Sequence, residues 1–159
     1  MTEFHVDLAV IGGGPAGLSA AIEGKKQGLE KVIIIERAPD LGGILQQCIH
    51  DGFGLQKYKR SLTGNQFAER LINEAKEWGV CLYLDTMVLE VHENKTIIAV
   101  SHEEGLILVI AEAVILAMGC RERTRAQVGL LGSRPAGVYT AGVVQRYINI
   151  EGFLPGKKQ

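Results

Sequence analysis

Cysteine is scarce in this 159-residue chain: Cys48, Cys81 and Cys120 are the only three. They are widely spaced, which excludes a C-x-x-C redox pair and the usual zinc-ligand sets. A sparse, odd set does not make a disulfide framework, and a reducing, cytoplasmic location is the expectation. Charge of neither sign is in excess. The formal net charge is −1, so composition favours neither nucleic acid nor an anionic membrane surface as a partner. Long hydrophobic runs are missing too. The apolar stretches are strand-length and interrupted by acids, so no membrane span is expected. The first residues enter an apolar pattern almost at once, without the basic-then-apolar order of a signal peptide. There is no internal repeat and no low-complexity segment. No Ser/His/Asp set or carboxylate pair is placed by motif spacing, which leaves hydrolytic chemistry without support. Apolar residues nevertheless make up 47% of the chain, enough for one domain with a substantial core.

What the chain does have is concentrated in its first quarter. Val6-Asp7-Leu8-Ala9-Val10-Ile11 reads as a strand. Gly12-Gly13-Gly14-Pro15-Ala16-Gly17 follows, then a helical pattern to Gln27 with Gly28 as its stop, then the strand Val32-Ile33-Ile34-Ile35 ending on Glu36. A βαβ unit with this glycine turn and terminal acid binds a dinucleotide. Gly12 permits a sharp exit from the first strand. Gly14 leaves room for a pyrophosphate, and Gly17 lets the helix pack closely. Pro15 fits the first helical turn, where a missing N–H costs nothing. The free N–H groups of that turn and the helix dipole favour phosphate. Glu36 is placed to accept bonds from both ribose hydroxyls of an adenosine, and its charge disfavours a 2′-phosphate there.

The remainder has a coarser reading. A loop runs from Arg37 through Gly42-Gly43, and residues 44–60 are hard to assign. A helix follows with Thr63 or Ser61 as N-cap, an apolar face of Phe67, Leu71, Ile72 and Ala75, and Gly79 as its end. Residues 80–84 form a strand. Residues 87–92, 96–101 and 106–111 are separated by short polar turns, which implies an antiparallel meander. Residues 113–117 are continuously apolar, as in a strand buried on both faces. Residues 148–159 read as a linker. Trp78 is expected in the core, Asp7 in a structural role near a strand start, and the basic group at residues 57–60 on a solvated surface. Arg121, Arg123 and Arg125 could meet an anion or a partner, or form a solvated loop.

This order, with the glycine doublet, the meander and Ala117-Met118-Gly119 after the last apolar run, resembles the FAD domain of the pyridine nucleotide-disulfide oxidoreductase family. The segments Met118-Gly119-Cys120-Arg121-Glu122-Arg123-Thr124 and Arg134-Pro135-Ala136-Gly137-Val138-Tyr139-Thr140-Ala141-Gly142 resemble the branch holding the flavin subunits of hydrogen cyanide synthase and of opine and amino-acid dehydrogenases. The resemblance implies an α/β fold: a Rossmann-like parallel sheet with helices, plus a three-stranded antiparallel meander. It also implies FAD at the fingerprint, with NAD(P)H as co-substrate of a longer parent. The cofactor-binding set is then Gly12, Gly13, Gly14, Pro15, Ala16, Gly17, Glu36, Arg37, Gly42, Gly43, Val88, Ala117, Met118 and Gly119. Gly42-Gly43 would run beside the pyrophosphate and ribityl chain. Backbone near Met87-Val88 would meet the adenine, and Ala117-Met118-Gly119 would approach from the other side. No catalytic residue and no metal ligand is assigned.

Two departures from that family sharpen the expectation. After the glycine doublet the disulfide reductases carry C-x-x-x-x-C. Here Cys48 stands alone, with His50 about where the second cysteine would fall. A dithiol relay needs two thiols, so this is not a disulfide reductase. Cys48 is expected to be packed or merely exposed, and His50 either donates a proton near the flavin or is a plain loop histidine. The second departure is length, since neither a second fingerprint nor the family's returning Gly-Asp segment is present. The expected organisation is an incomplete FAD-binding domain over residues 1–147 and a linker over 148–159 toward an absent NAD(P)H domain. The expected function is hydride transfer through bound flavin in the full-length oxidoreductase, with this chain inactive alone. The alternatives are a non-catalytic dinucleotide-binding module and an NAD-binding Rossmann domain. The expected partners are an unidentified small-molecule substrate and a homo-oligomer or other subunits, with no nucleic acid and no membrane.

Overall fold

A computed structural model describes residues 2–133 and 135–156. Arg134, at the head of the second branch-like segment, and Lys157, Lys158 and Gln159 of the tail lie outside the described residues. The element order is β1 (Thr2–Ile11), α1 (Pro15–Lys26), β2 (Val32–Ile35), a 3₁₀ turn (Gly43–Gln47), α2 (Leu55–Tyr58), α3 (Gly64–Glu77), β3 (Cys81–Tyr83), β4 (Thr86–Val91), β5 (Thr96–Ser101), β6 (Gly105–Leu116) and α4 (Ala141–Asn149). The strands make one six-stranded sheet in the order β3-β2-β1-β6-β5-β4. Parallel pairing joins β3, β2, β1 and β6, and antiparallel pairing joins β6, β5 and β4. The Rossmann-like arrangement and the meander are therefore both present.

Two apolar layers hold this sheet, as period-two alternation on central strands requires. On one face Leu8, Val10, Val32 and Ile34 pack with Leu18, Ala21 and Ile22 of α1 and Leu71 and Ala75 of α3. On the other, Val6, Ala9, Ile11, Ile33 and Ile35 pack with Ile97, Ala99, Ile107 and Val109. The second cluster joins β1 and β2 to residues of β5 and β6, so the meander covers the face that the helices leave bare. Helix α3 starts at a capping box, in which the Thr63 hydroxyl accepts from the Gln66 N–H and the Gln66 side chain accepts from the Thr63 N–H. Such a cap contributes about 1 kcal/mol. The Glu74 carboxylate ties three helices together, taking Lys26 of α1 at 2.8 Å and Lys57 of α2 at 2.6 Å. Lys57 is thus engaged rather than merely solvated.

Five expectations change. The runs at 106–111 and 113–117 are one strand, β6, without a turn between them. Glu112 interrupts the apolar pattern, but nothing at that point bends the backbone. The second half of β6 is also not buried on both faces: Val114 is half-buried, Ala113 and Ile115 are exposed, and Leu116 is 59% exposed. β5 pairs only with residues 105–110 of β6, and beyond the contacts of Lys95 with Ala111 and Glu112 residues 113–116 have β1 as their one paired strand among the described residues. Trp78 is a helix-end residue, 43% exposed with the Lys26 ammonium over its ring, and does not belong to the core. Asp7 lies well inside the ten-residue β1 rather than near its start. At 148–159, Ile148 and Asn149 belong to α4, and the Phe153 N–H donates to the Tyr147 carbonyl at 2.7 Å.

Candidate functional site

The site stands where β1 ends. Gly12 has φ +108°, and a Cβ there would strike the Ala117 carbonyl. Its N–H donates to the Ile35 carbonyl at 2.9 Å, closing the β1–β2 ladder. A Cβ on Gly17 would strike the Gly12 carbonyl, and one on Gly13 would strike Leu41 and the stem of Glu36. These three positions are glycine because the protein itself fills the space. Gly14 differs, since a Cβ there meets nothing within 4 Å. It is the N-cap of α1, with Pro15 as the first helical residue, and no side chain caps the helix. An α-helix leaves its first four N–H groups without intrahelical partners. The N–H groups of Gly14, Ala16 and Gly17 therefore face a space that a side chain does not occupy, at the positive end of the helix dipole.

A second glycine turn abuts the first. Gly42 and Gly43 have φ +105° and +52°, a conformation that disfavours any side chain. The Gly42 N–H donates to the Gly13 carbonyl at 2.8 Å. A Cβ on Gly43 would lie 3.1 Å from the Gly14 Cα, and one on Gly42 would lie 2.9 Å from Ala68 of α3. Close packing thus needs both glycines, and the doublet is pinned between the first turn and α3.

Glu36 closes the opposite side. Its Oε2 accepts from the Gly13 N–H at 2.6 Å and its Oε1 from the Ala38 N–H at 2.9 Å. The carboxylate is only partly buried, so lone pairs remain for a ligand hydroxyl. Arg37 beside it is exposed. The Thr86 N–H donates to the Glu36 carbonyl at 3.0 Å. Backbone groups alternate sides along a strand, so the N–H and C=O of Val88 point the same way as those of Thr86, toward the Glu36 edge. Ala117 donates its N–H to the Ile11 carbonyl at 2.8 Å. Met118 continues past Gly12, 66% exposed, and Gly119 turns the chain away at φ +69°.

The structure thus brings Gly12, Gly13, Gly14, Pro15, Ala16, Gly17, Glu36, Gly42, Gly43 and Ala117 to one end of the sheet. Arg37, Val88, Met118 and Gly119 stand on its rim. Leu41, Ala38 and the buried Thr86 shape the same end in addition to the residues expected from sequence. The signal for Leu41 is its place directly before the doublet; Ala38 and Thr86 carry no sequence signal of their own. Amides at a helix start, a carboxylate beside them and a second glycine turn form a cradle that fits the pyrophosphate and ribose of a dinucleotide.

Neighbouring groups do other work. Cys48 is 8% exposed and its thiol donates to the Ile44 carbonyl at 3.3 Å. This is a packed cysteine, without a second thiol. His50 is exposed, with Nδ1 3.0 Å from the Asp51 carbonyl and its ring centroid 5.1 Å from that of Phe53. Arg125 braces its own loop, donating to the carbonyls of Leu130, Leu131 and Ser133. The Glu122 carboxylate accepts from the Gly142 N–H at 2.8 Å, at the start of α4. Hydrogen bonds from Thr140 first and then Gly142 hold its pKa below the ordinary 4.5. Among the described residues no cluster of side chains could hold a metal ion and no helix is long and apolar enough to cross a membrane.

Comparison with known proteins bears on this geometry. The family model described as FAD dependent oxidoreductase matches residues 7–152. Ferredoxin–NADP reductase of Streptococcus pneumoniae serotype 19F (strain G54) is 34% identical over 118 residues, covering 71% of this chain and 34% of that protein. Hydrogen cyanide synthase subunit HcnB of Pseudomonas protegens is 30% identical over 121 residues, covering 72% of this chain and 24% of that one. The crystal structure of L-proline dehydrogenase from P. horikoshii matches with a TM-score of 0.77 at 28% identity, over 98% of this chain and 30% of its own. A thioredoxin reductase from Streptococcus pyogenes shares the fold, with a TM-score of 0.61 at 24% identity over 76% of this chain and 37% of that one. The chain spans about a third or less of the length of these curated relatives.

Proposed function

The chain belongs to the FAD-dependent oxidoreductase family, and from that premise we propose that it is the FAD-binding portion of a longer flavoprotein. One observation carries this reading. In a turn whose other glycines are forced by packing, Gly14 faces open space flanked by unclaimed helix-start amides. The residues suit the cofactor. The N–H groups of Gly14, Ala16 and Gly17 would hold the pyrophosphate, with Pro15 setting the helix start. Glu36, flanked by Arg37, would accept the adenosine ribose hydroxyls, and the Val88 backbone would meet the adenine. Gly12 and Gly13 shape the turn. Gly42 and Gly43 would border the ribityl side, with Ala117, Met118 and Gly119 opposite. FAD, when bound, supplies two-electron chemistry between a reduced donor such as NAD(P)H and an acceptor.

The chain's own part is to bind and orient. One fingerprint is present in this chain, so we place the FAD-binding domain through the end of α4 at Asn149, two residues beyond the 1–147 expected from sequence, with the following residues leading toward an NAD(P)H domain of a longer parent. The half-open β6 edge and the exposed Leu116 and Met118 support association with a further segment, subunit or copy. A cytoplasmic location fits the free thiols of Cys48, Cys81 and Cys120. The test is titration of purified protein with FAD, ADP and NAD. FAD and ADP should compete for one site and NAD should bind more weakly. Failure of FAD to bind the folded protein sinks the reading. With FAD bound, NADH and NADPH should bleach the flavin no faster than they bleach free FAD. Rapid saturable bleaching would show a complete reductive site in this chain.

A further inference from the structure

The Gly13 peptide is a hub. Its N–H donates to Glu36 Oε2 at 2.6 Å and its carbonyl accepts from the Gly42 N–H at 2.8 Å. Gly42 leads directly into Gly43, whose backbone abuts Gly14. A continuous path of two hydrogen bonds and one close contact therefore runs from the carboxylate at the end of β2, through the first glycine turn, to the second. Gly13 is buried, with Leu41 and the Glu36 stem pressed where a side chain would be. The turn that carries the doublet is closed on itself, since Gln46 donates its carboxamide to the Leu41 carbonyl at 2.6 Å. The Ala38 N–H on Oε1 holds the carboxylate from its other oxygen.

From this path we infer that Glu36 is a positioning residue for both glycine turns, in addition to the ribose contact on which the proposed function rests. A hydrogen bond to an ionised group is stronger than a neutral one and is set before any ligand arrives. Two consequences follow for the phosphates. The Gly13 N–H is committed to Glu36 and is withdrawn from phosphate binding, which leaves Gly14, Ala16 and Gly17 as the donors. The spacing between the two turns depends on a residue that touches neither the pyrophosphate nor the ribityl chain. Loss of the carboxylate frees the Gly13 peptide, and with it Gly42, so the damage extends beyond the ribose.

The experiment uses the ligand-free chain and ligands that have no adenosine ribose. Amide hydrogen exchange is followed by NMR in the parent, Glu36→Ala and Glu36→Gln. In Glu36→Ala the amides of Gly13, Ala38 and Gly42 should exchange roughly tenfold faster or more, with Ile34 and Leu71 unchanged. Glu36→Gln keeps one acceptor oxygen and should restore Gly13 and Gly42 but not Ala38. Inorganic pyrophosphate and FMN, measured by calorimetry, should bind Glu36→Ala about tenfold more weakly. Unchanged exchange at Gly13 and Gly42 overturns the inference, as does a uniform rise across the sheet, no rescue by glutamine, or an unaltered affinity for pyrophosphate and FMN. Exchange needs no ligand. A parent that binds no FAD would defeat the cofactor reading and leave the exchange data to decide this one.

Discussion

Asp7 and Glu36 stand at opposite ends of β2 and use the same device. The Asp7 Oδ2 accepts the N–H groups of Glu30 and Lys31, both at 2.8 Å, where the chain enters the strand. Glu36 accepts those of Gly13 and Ala38 where the chain leaves it. Each carboxylate gathers two backbone donors that the ladder leaves over. The difference lies in what surrounds the clamp. Around Asp7 the gathered amides belong to a connecting loop, and no helix start is exposed beside it. Around Glu36 the gathered amide belongs to a turn that opens onto the unclaimed first turn of α1. Identical chemistry therefore serves architecture at one end and a ligand cradle at the other. The carboxyl end of a parallel sheet is where that opening arises, because the crossover helices begin there.

The sharpest way to separate the two ends is Gly14→Val. Nothing in the protein occupies the space a side chain would fill, so the variant should keep its circular dichroism and melting temperature. It should lose FAD affinity by about two orders of magnitude or more, since a phosphate in contact with those amides must be displaced. A folded variant that binds normally would remove Gly14 from the cradle. Glu36→Ala comes next, with ADP affinity down by about 1.5–3 kcal/mol in calorimetry, the range for hydrogen bonds to a charged group. Asp7→Asn should do the reverse, lowering thermal stability while leaving ADP affinity as in the parent. Its pH dependence follows from the backbone hydrogen bond from Lys31, the chief cause of a carboxyl pKa below the ordinary 3.8. A depressed folded-state pKa contributes stability above the unfolded value, and that contribution is lost as pH falls through the folded one. The parent should thus destabilise more steeply than Asp7→Asn below about pH 4 in acid titrations; parallel curves would dismiss the clamp. Cys48→Ser is the smallest change, expected within about 1 kcal/mol in denaturant melts and without effect on FAD binding. A large loss of flavin binding would make Cys48 part of the cradle.

Much of this comparison is legible in the residues. The βαβ unit announces itself because strand, glycine turn, helix and acid follow without interruption, and each uses strictly local signals. Helix α3 was legible for the same reason, through Thr63, its apolar face and Gly79. What escapes is what depends on distant partners. The need for glycine at position 13 comes from Leu41 and Glu36, far along the chain, and no local pattern reveals it. Glu112 breaks the apolar run of β6 and makes one strand read as two, although a solvent-facing acid breaks no backbone. Trp78, Ala113, Ile115 and Leu116 are exposed despite their apolar character, which reports the tendency to be covered and not what is there to cover it. Helix α4 has Thr140 at its N-cap position, but the side chain that takes its first N–H is Glu122, 20 residues before Gly142, a partner no local pattern reveals.

The long strand β6 also sets the order of assembly. Thr2 faces Ile107 and Ile11 faces Leu116 across the central pairing of the sheet. Strand β1 is thus flanked on one side by β6, whose paired residues lie 105 positions further along the chain and leave a ribosome that much later. Until then β1 can pair only with β2, and the layer of Ala9, Ile11, Ile33 and Ile35 has no Ile107 or Val109 to bury against. Contacts so remote along the chain slow folding, because the intervening loop must be closed before any of them forms. Nascent chains should therefore gain protease resistance in one late step, after β6 clears the exit tunnel, with the cradle at its carboxyl end completed in the same event.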